Sequence, residues 1–213
     1  MTDILSALAE GIGTTVAITL SSFAVGAILG FPLALGRRSP YPWLRWPAGA
    51  VVEVLRAIPP LVWLFIAYYS VGVDLIELSV FEAAVAGLGL VAAAYMCEIY
   101  RAGLESVPRG QWEAADVLAL PTVATYTRVV VPQAALLVIP PAATYLIALL
   151  KDSAIASVIG TTDITFLAFQ EARVTLEGLS VFAVTAVLYL LLSVPVAVVA
   201  RLGDRVVARR LAR

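Results

Sequence analysis

Of 213 residues, 62% are hydrophobic and only 14% charged, against about a quarter charged in a soluble domain. With a mean hydropathy of +0.97 the chain belongs in a membrane. It holds no histidine, one cysteine and one lysine, which excludes an internal disulfide, removes the commonest metal ligand and the usual general base, and makes catalysis by this chain unexpected.

Five apolar runs approach or exceed the roughly 20 residues that cross hydrocarbon: Gly11–Gly36, Ala57–Val73, Ala83–Cys97, Val129–Leu150 and Gly178–Ala200. The third is short, and extends from Ser79 to Tyr100 if Glu82 and Glu98 sit near the two interfaces. Within the first run, Gly26, Gly30 and Ala34 recur every four residues, a small-residue stripe that suits ordinary helix packing or a dimer seam. No cationic region precedes this run, and its length exceeds a signal-peptide core, so it reads as a retained helix.

Placing the N-terminus outside puts Arg37, Arg38, Arg45, Arg56, Arg101, Arg109, Arg128, Arg201, Arg205, Arg209, Arg210 and Arg213 inside, leaving only Lys151 and Arg173 outside. That split predicts N-out, C-in topology.

Between the first two spans, Ser39–Pro47 is rich in proline and tryptophan. It reads as a connector at the membrane surface whose prolines prevent a continuous helix. Glu53 and Arg56 then stand at i,i+3 and are expected to pair, as are Glu98 and Arg101 at the end of the third span. Pro59 and Pro60, and later Pro140 and Pro141, fall in or beside apolar runs, where a missing amide kinks a helix and frees carbonyls. Such breaks are either structural kinks or the lining or gate of a pathway. The aromatics Trp63, Phe65, Tyr68 and Tyr69 suit an interfacial belt, with pore lining as the other reading.

Pro108 favours a helix start and Pro121 cannot continue one, so Arg109–Leu120 is predicted as a short helix on the arginine-rich side. Trp112, Ala115 and Ala119 share one face with Ala114 alongside, which suits seating in a partner's groove. Glu113 and Asp116 argue against a helix lying on anionic lipid. Farther on, Lys151 and Asp152 end the fourth span. Adjacent opposite charges there can cap the helix, pair with neighbours or meet a charged solute. The stretch from Lys151 to Glu177 is too long for a bare turn and is expected to hold a short helix packed over the pathway. The C-terminal arginines are expected to anchor the chain at the inner surface.

Three motifs resemble one family. Pro108-Arg109-Gly110-Gln111-Trp112-Glu113-Ala114-Ala115 with Arg128–Ala134 is similar to the EAA loop of permease subunits of ABC importers, in the branch that moves polar amino acids. Glu53–Pro59 resembles that branch's E-x-x-R-G-T-P, with Ala57 and Ile58 departing from it. Leu149–Gly160 resembles its LLKDTSLASVIG, with Ser153 in place of threonine. The resemblance implies an all-helical, five-span type I ABC importer permease fold over residues 1–213 as a single transmembrane domain, with a cytoplasmic coupling loop at about 105–132. It implies ATPase coupling through Gly110, Gln111, Glu113, Ala114, Ala115 and Ala119, and makes Pro59, Pro60, Pro140, Pro141, Lys151, Asp152 and Ser153 candidates for a pathway or gate. Ala119 stands where the family has glycine, which puts the bend after the helix in question, since alanine resists positive φ.

The same resemblance implies two ABC ATPase subunits, a second permease copy or paralogue, an extracytoplasmic solute-binding protein and membrane lipid as partners, and no nucleic acid. ATP and magnesium would be bound by the partner ATPase, since the only lysine here, Lys151, lies outside any GxxxxGK[ST] motif. The expected location is the prokaryotic plasma (inner) membrane. An ATP-independent channel or a scaffold that recruits a cytosolic partner is the alternative from another class. A secondary transporter fits less well, because five spans without an inverted repeat are few.

The topology is testable by cysteine labelling in a Cys97-replaced background. An impermeant reagent on intact cells is expected to reach Thr162→Cys and not Ser39→Cys, and the opposite pattern would reverse the orientation.

Overall fold

The computed structural model describes residues 2–70 and 78–211, with side chains placed within 4–69 and 78–203, and every described element is helical. The end of the second apolar run, 71–73, and the arginines from Arg205 onward, used in the topology argument, lie outside those limits. Helix α1 (Thr2–Ala9) turns at Gly11 into α2 (Ile12–Arg37); α3 (Pro42–Ala57) and α4 (Pro60–Ser70) follow, then α5 (Val80–Glu105) and the short α6 (Arg109–Val117). After α7 (Thr122–Ala124) and a π-helical turn (Thr125–Val130) comes α8 (Val131–Asp152). A 3₁₀ segment (Ser153–Ile159), α9 (Ile164–Thr175) and α10 (Gly178–Leu211) complete the chain. Four helical stretches are each long and apolar enough to cross a membrane, and a fifth crossing arises only if α3 and α4 count as one span bent by 99°.

The kink expected at Pro59 and Pro60 is thus a sharp bend, and the second span, expected from 57–73, reaches back to Pro42. Ile58 precedes a proline and is forced extended (φ −93°, ψ 132°), and Pro60 then starts α4 in the position where proline costs nothing. Pro59 also leaves the carbonyl of Leu55, four residues back, without its helical donor. The indole N–H of Trp63 supplies one at 3.2 Å. Trp63 therefore fastens the bend. The expected connector at 39–47 is corrected, since α3 begins at Pro42 and runs through Pro47. Pro140 and Pro141 lie inside α8, which continues through both.

Helix α5 is the axis, packed against α2, α3, α4 and α8. It starts where the sequence suggests: the Ser79 hydroxyl accepts from the Glu82 N–H at 3.3 Å while the Glu82 carboxylate accepts from the Ser79 N–H at 2.7 Å. Its small residues admit neighbouring backbones. A Cβ at Gly26 of α2 would stand 2.4 Å from the Ala92 Cβ, and one at Gly87 would stand 2.8 Å from the Leu64 Cα of α4. The Gly26–Gly30–Ala34 stripe is thus an internal seam, closed by Ala92, Ala93, Met96 and Cys97.

At the opposite end from the arginine cluster, α2, α9 and α10 meet at Asp163, a fully buried carboxylate that the sequence reading overlooked. As N-cap of α9 it accepts from the Thr165 and Phe166 N–H groups, each at 3.2 Å. The Tyr189 hydroxyl lies 2.9 Å from the Thr165 hydroxyl, and Thr15 of α2 accepts from the Ile164 N–H at 3.1 Å. Burial pushes the Asp163 carboxyl up from 3.8 to about 6, against the lowering pull of the Phe166 and Thr165 N–H groups.

The folded state therefore holds this proton more tightly than the unfolded chain. The stabilisation is complete below 3.8 and is lost as pH rises through about 6. Asp163→Asn keeps the capping oxygen and removes the titration. In detergent, wild-type thermal stability is expected to carry a fall across that window that the variant lacks; profiles of equal slope would contradict it.

Candidate functional site at the arginine-rich helix ends

Helices α2, α3 and α5 bring five charges into one chain: Glu53, Arg37, Glu98, Arg101, Glu105. The Arg37 guanidinium donates to Glu98 and, at 3.4 Å, to Glu53. Arg101 donates to Glu98 at 2.8 Å and to Glu105 at 2.7 Å. Of the two expected i,i+3 pairs, Glu98–Arg101 forms and Glu53–Arg56 does not. Val52 and Leu55 turn α3 inward against Ala34 and Cys97, which brings Glu53 to Arg37 and leaves the Arg56 guanidinium 5.5 Å from the Tyr95 ring. Glu98 is the shared member. Arg37 and Glu98 keep only 22% of their side-chain surface exposed, so this link is screened far less than Glu53, which is 63% exposed.

Beyond this chain sits α6, three residues shorter than the predicted Arg109–Leu120. Its end is a Schellman turn: Ala119 N–H donates to the Asp116 carbonyl at 2.9 Å and Leu120 N–H to the Ala115 carbonyl at 3.0 Å. The turn requires a left-handed residue, and Ala119 adopts φ +50° at a cost of about 1–2 kcal/mol. The alanine accepts the conformation that glycine would take freely.

The orientation of α6 differs from expectation. Ala115 is 2% exposed and Trp112 half-buried, so both turn into their own chain, Trp112 against Leu104, Val107, Val130 and Ala134. The Tyr126 ring meets Trp112 edge-on at 5.3 Å, and Gln133 from α8 donates to the Gln111 side chain at 3.2 Å. The outward stripe is instead Gly110, Glu113, Ala114, Val117 and Leu118, spaced i, i+3, i+4, i+7, i+8. It ends in two bare apolar side chains, Val117 at 86% and Leu118 at 71% exposed. Trp112 is the reason for the rotation: as the largest apolar side chain of α6, it takes the buried face with it.

Arg38, which the sequence offered only as one of many topology-setting cations, lies 5.6 Å from the Trp112 ring centre. A cavity of about 520 Å³ opens between them and Glu105, Arg109, Glu113 and Asp116. A second, of about 660 Å³, is bounded by Arg37, Arg45, Trp46, Glu53 and Arg101. At the far end of α8, Lys151 is exposed, Asp152 is half-buried, and neither makes an ion pair among the described residues. Ser153 is fully buried and its hydroxyl donates to the Leu150 carbonyl at 2.8 Å. Among the described residues no cluster of His, Cys, Asp and Glu could hold a metal.

The chain is 35% identical over 184 residues to the probable amino-acid ABC transporter permease protein YckA of Bacillus subtilis, covering 84% of this chain and 80% of that one. It is 36% identical over 207 residues to the L-cystine transport system permease protein TcyB of the same organism, covering 95% and 88%. A chain in the crystal structure of an amino acid ABC transporter with histidines superposes with a TM-score of 0.88 at 29% identity, covering 96% of each chain. The family described as binding-protein-dependent transport system inner membrane component matches residues 8–209. The chain belongs to that family, the multi-pass permease components of ABC transport systems.

Proposed function

We propose that the chain forms half of the translocation pathway of an ATP-driven importer for a polar amino acid or a similarly small zwitterion, and that α6 couples it to a separate ATPase. The observation that carries the coupling reading is the outward stripe of α6. Gly110 and Ala114 allow close approach, Glu113 offers an acceptor, and Val117 with Leu118 expose apolar surface that a groove would cover. Gln111, Ala115 and Ala119 serve the same site by fixing how the helix sits. Two ATPase subunits would bind ATP and magnesium and dock beneath this chain and a second permease copy or paralogue, while an extracytoplasmic binding protein would deliver solute. Closure of the ATPases then moves the coupling helices together and opens the pathway outward, and hydrolysis resets it.

The bend at Pro59 and Pro60, the proline pair Pro140 and Pro141 in α8, and the Lys151–Asp152 pair remain the candidates for a gate, with Ser153 holding the end of α8 behind them. The substrate class rests on the amino-acid relatives and on charge economy. Spans with so few charges favour a compact solute with internally balanced charge over a polyanion.

Two measurements test this reading. Ala114→Arg is expected to leave the permease folded while the co-purifying ATPase falls about tenfold or more, as for a burdened interface hot spot. Ala115→Arg, which buries a cation in the chain's own core, is expected to lower the permease's own stability. A normal ATPase ratio with Ala114→Arg would remove the stripe as the docking face. In proteoliposomes holding permease, ATPase and binding protein, amino acids or small zwitterions are expected to stimulate ATP hydrolysis and uptake. Stimulation by a sugar or a metal ion alone would overturn the substrate class.

A further inference from the structure

Helix α2 ends in two adjacent arginines, and the about 100° between successive helical residues sends them to different neighbours. Arg37 turns to Glu53 and Glu98, whereas Arg38 turns to the Trp112 ring of α6. The Nε and Nη1 atoms of Arg38 are buried, and no hydrogen-bond acceptor reaches them. A half-buried guanidinium without an acceptor, with Glu105, Glu113 and Asp116 bounding the same cavity, is an uncommon arrangement. What holds it there is the indole face. Trp112 is itself pinned by Tyr126 and by the apolar cluster of Leu104, Val107, Val130 and Ala134, so the cation meets a ring that cannot turn away.

We propose that Arg38 is a positioning residue that locks the coupling helix to the first membrane helix through Trp112, so that displacement of α6 is carried into α2 as well as into α5 and α8. This rests on the reading of α6 as the coupling helix. Along the chain α6 follows α5 and, through α7 and the π turn, precedes α8, so those two helices feel its movement through the backbone. Helix α2 has no such connection, since α3, α4 and α5 intervene. The Arg38–Trp112 contact adds a direct link from α6 to α2, beside the indirect one that runs through α5 and the Gly26–Gly30 seam. Glu113 and Asp116, which make no ion pair among the described residues, give the guanidinium somewhere to go if the ring moves, which makes the lock releasable.

The test is the number of solute molecules moved per ATP hydrolysed, measured in proteoliposomes with a radiolabelled mixture of the common amino acids. Arg38→Gln is expected to leave the co-purifying ATPase at its normal ratio and to lower uptake per ATP about fivefold or more, the scale of a lost coupling between sites. Arg38→Lys, which retains a cation for the ring, is expected to keep most of the coupling. In a Trp112→Leu background, Arg38→Gln is expected to add no further loss, because the partner is already gone. Unchanged uptake per ATP in Arg38→Gln, or full additivity with Trp112→Leu, would overturn the proposal.

A second arm is independent of substrate identity. Spin labels on Ser39→Cys and Arg109→Cys, in a Cys97→Ala background, are expected to report one narrow distance in the permease–ATPase complex that broadens on Arg38→Gln. An equally narrow distribution in that variant would refute the lock. Loss of the ATPase from the unmutated complex would instead refute the coupling reading itself, whatever the label distance.

Discussion

Inside hydrocarbon an apolar side chain gains little by exchanging lipid for protein, so membrane helices associate through close backbone approach and matched polar groups. The seam between α2 and α5 is where this constraint is met most fully. Gly26 and Gly30 present bare backbone to Ala92, Ala93, Met96 and Cys97, and a Cβ at either glycine would collide with what faces it. Once these two helices lie together, the remaining small positions of α5 are available to α4, through Gly87 against Leu64, and to α8, through Gly103 against Val138.

Each end of the seam is closed by polar groups, and the two closures differ in kind. At the inner end the ion chain from Glu53 to Glu105 ties α2, α3 and α5 with long, flexible side chains, partly in contact with water. Exposed links of this type contribute about 0–1 kcal/mol apiece, so the chain fixes the register of the helix ends more than it holds them together. At the outer end Asp163, Thr165, Tyr189 and Thr15 form a buried knot of short side chains around the start of α9. Buried polar groups are costly to leave unpaired, which makes the outer end the stiffer of the two. Of the two ends, the one held by exchangeable charges can rearrange more readily than the one that is knotted.

The inner end is also where local rules are broken. Ala119 occupies a left-handed conformation, the chain from Thr125 to Val130 winds as a π-helix, and Arg38 lacks hydrogen-bond acceptors at two buried nitrogens. Strain and π turns of this kind concentrate at functional positions. Here all three surround α6, the helix that we propose couples to an ATPase.

Much of this was legible in the sequence because it depends on local physics. Composition and run length give a membrane chain of about five crossings, proline positions mark the break at Ile58–Pro60 and the start of α6, and Ser79 with Glu82 marks the start of α5. The family resemblance was likewise carried by short contiguous motifs. What needed tertiary structure was every choice between neighbours. Glu53 has Arg56 one turn away and takes Arg37, because α3 is rotated by burying Val52 and Leu55. Of the α6 face that sequence offers to a partner, Trp112 and Ala115 turn inward while Ala114 and Ala119 stay exposed, since a tryptophan suits a partner's groove as well as its own core, and only the cluster around Leu104 and Val130 decides between them. Asp163 reads as one more polar loop residue until α2 and α10 are packed over it. Spacing along the chain fixes which residues share a helical face; which way that face turns is set by partners distant in sequence, and one chain's periodicity carries no record of them.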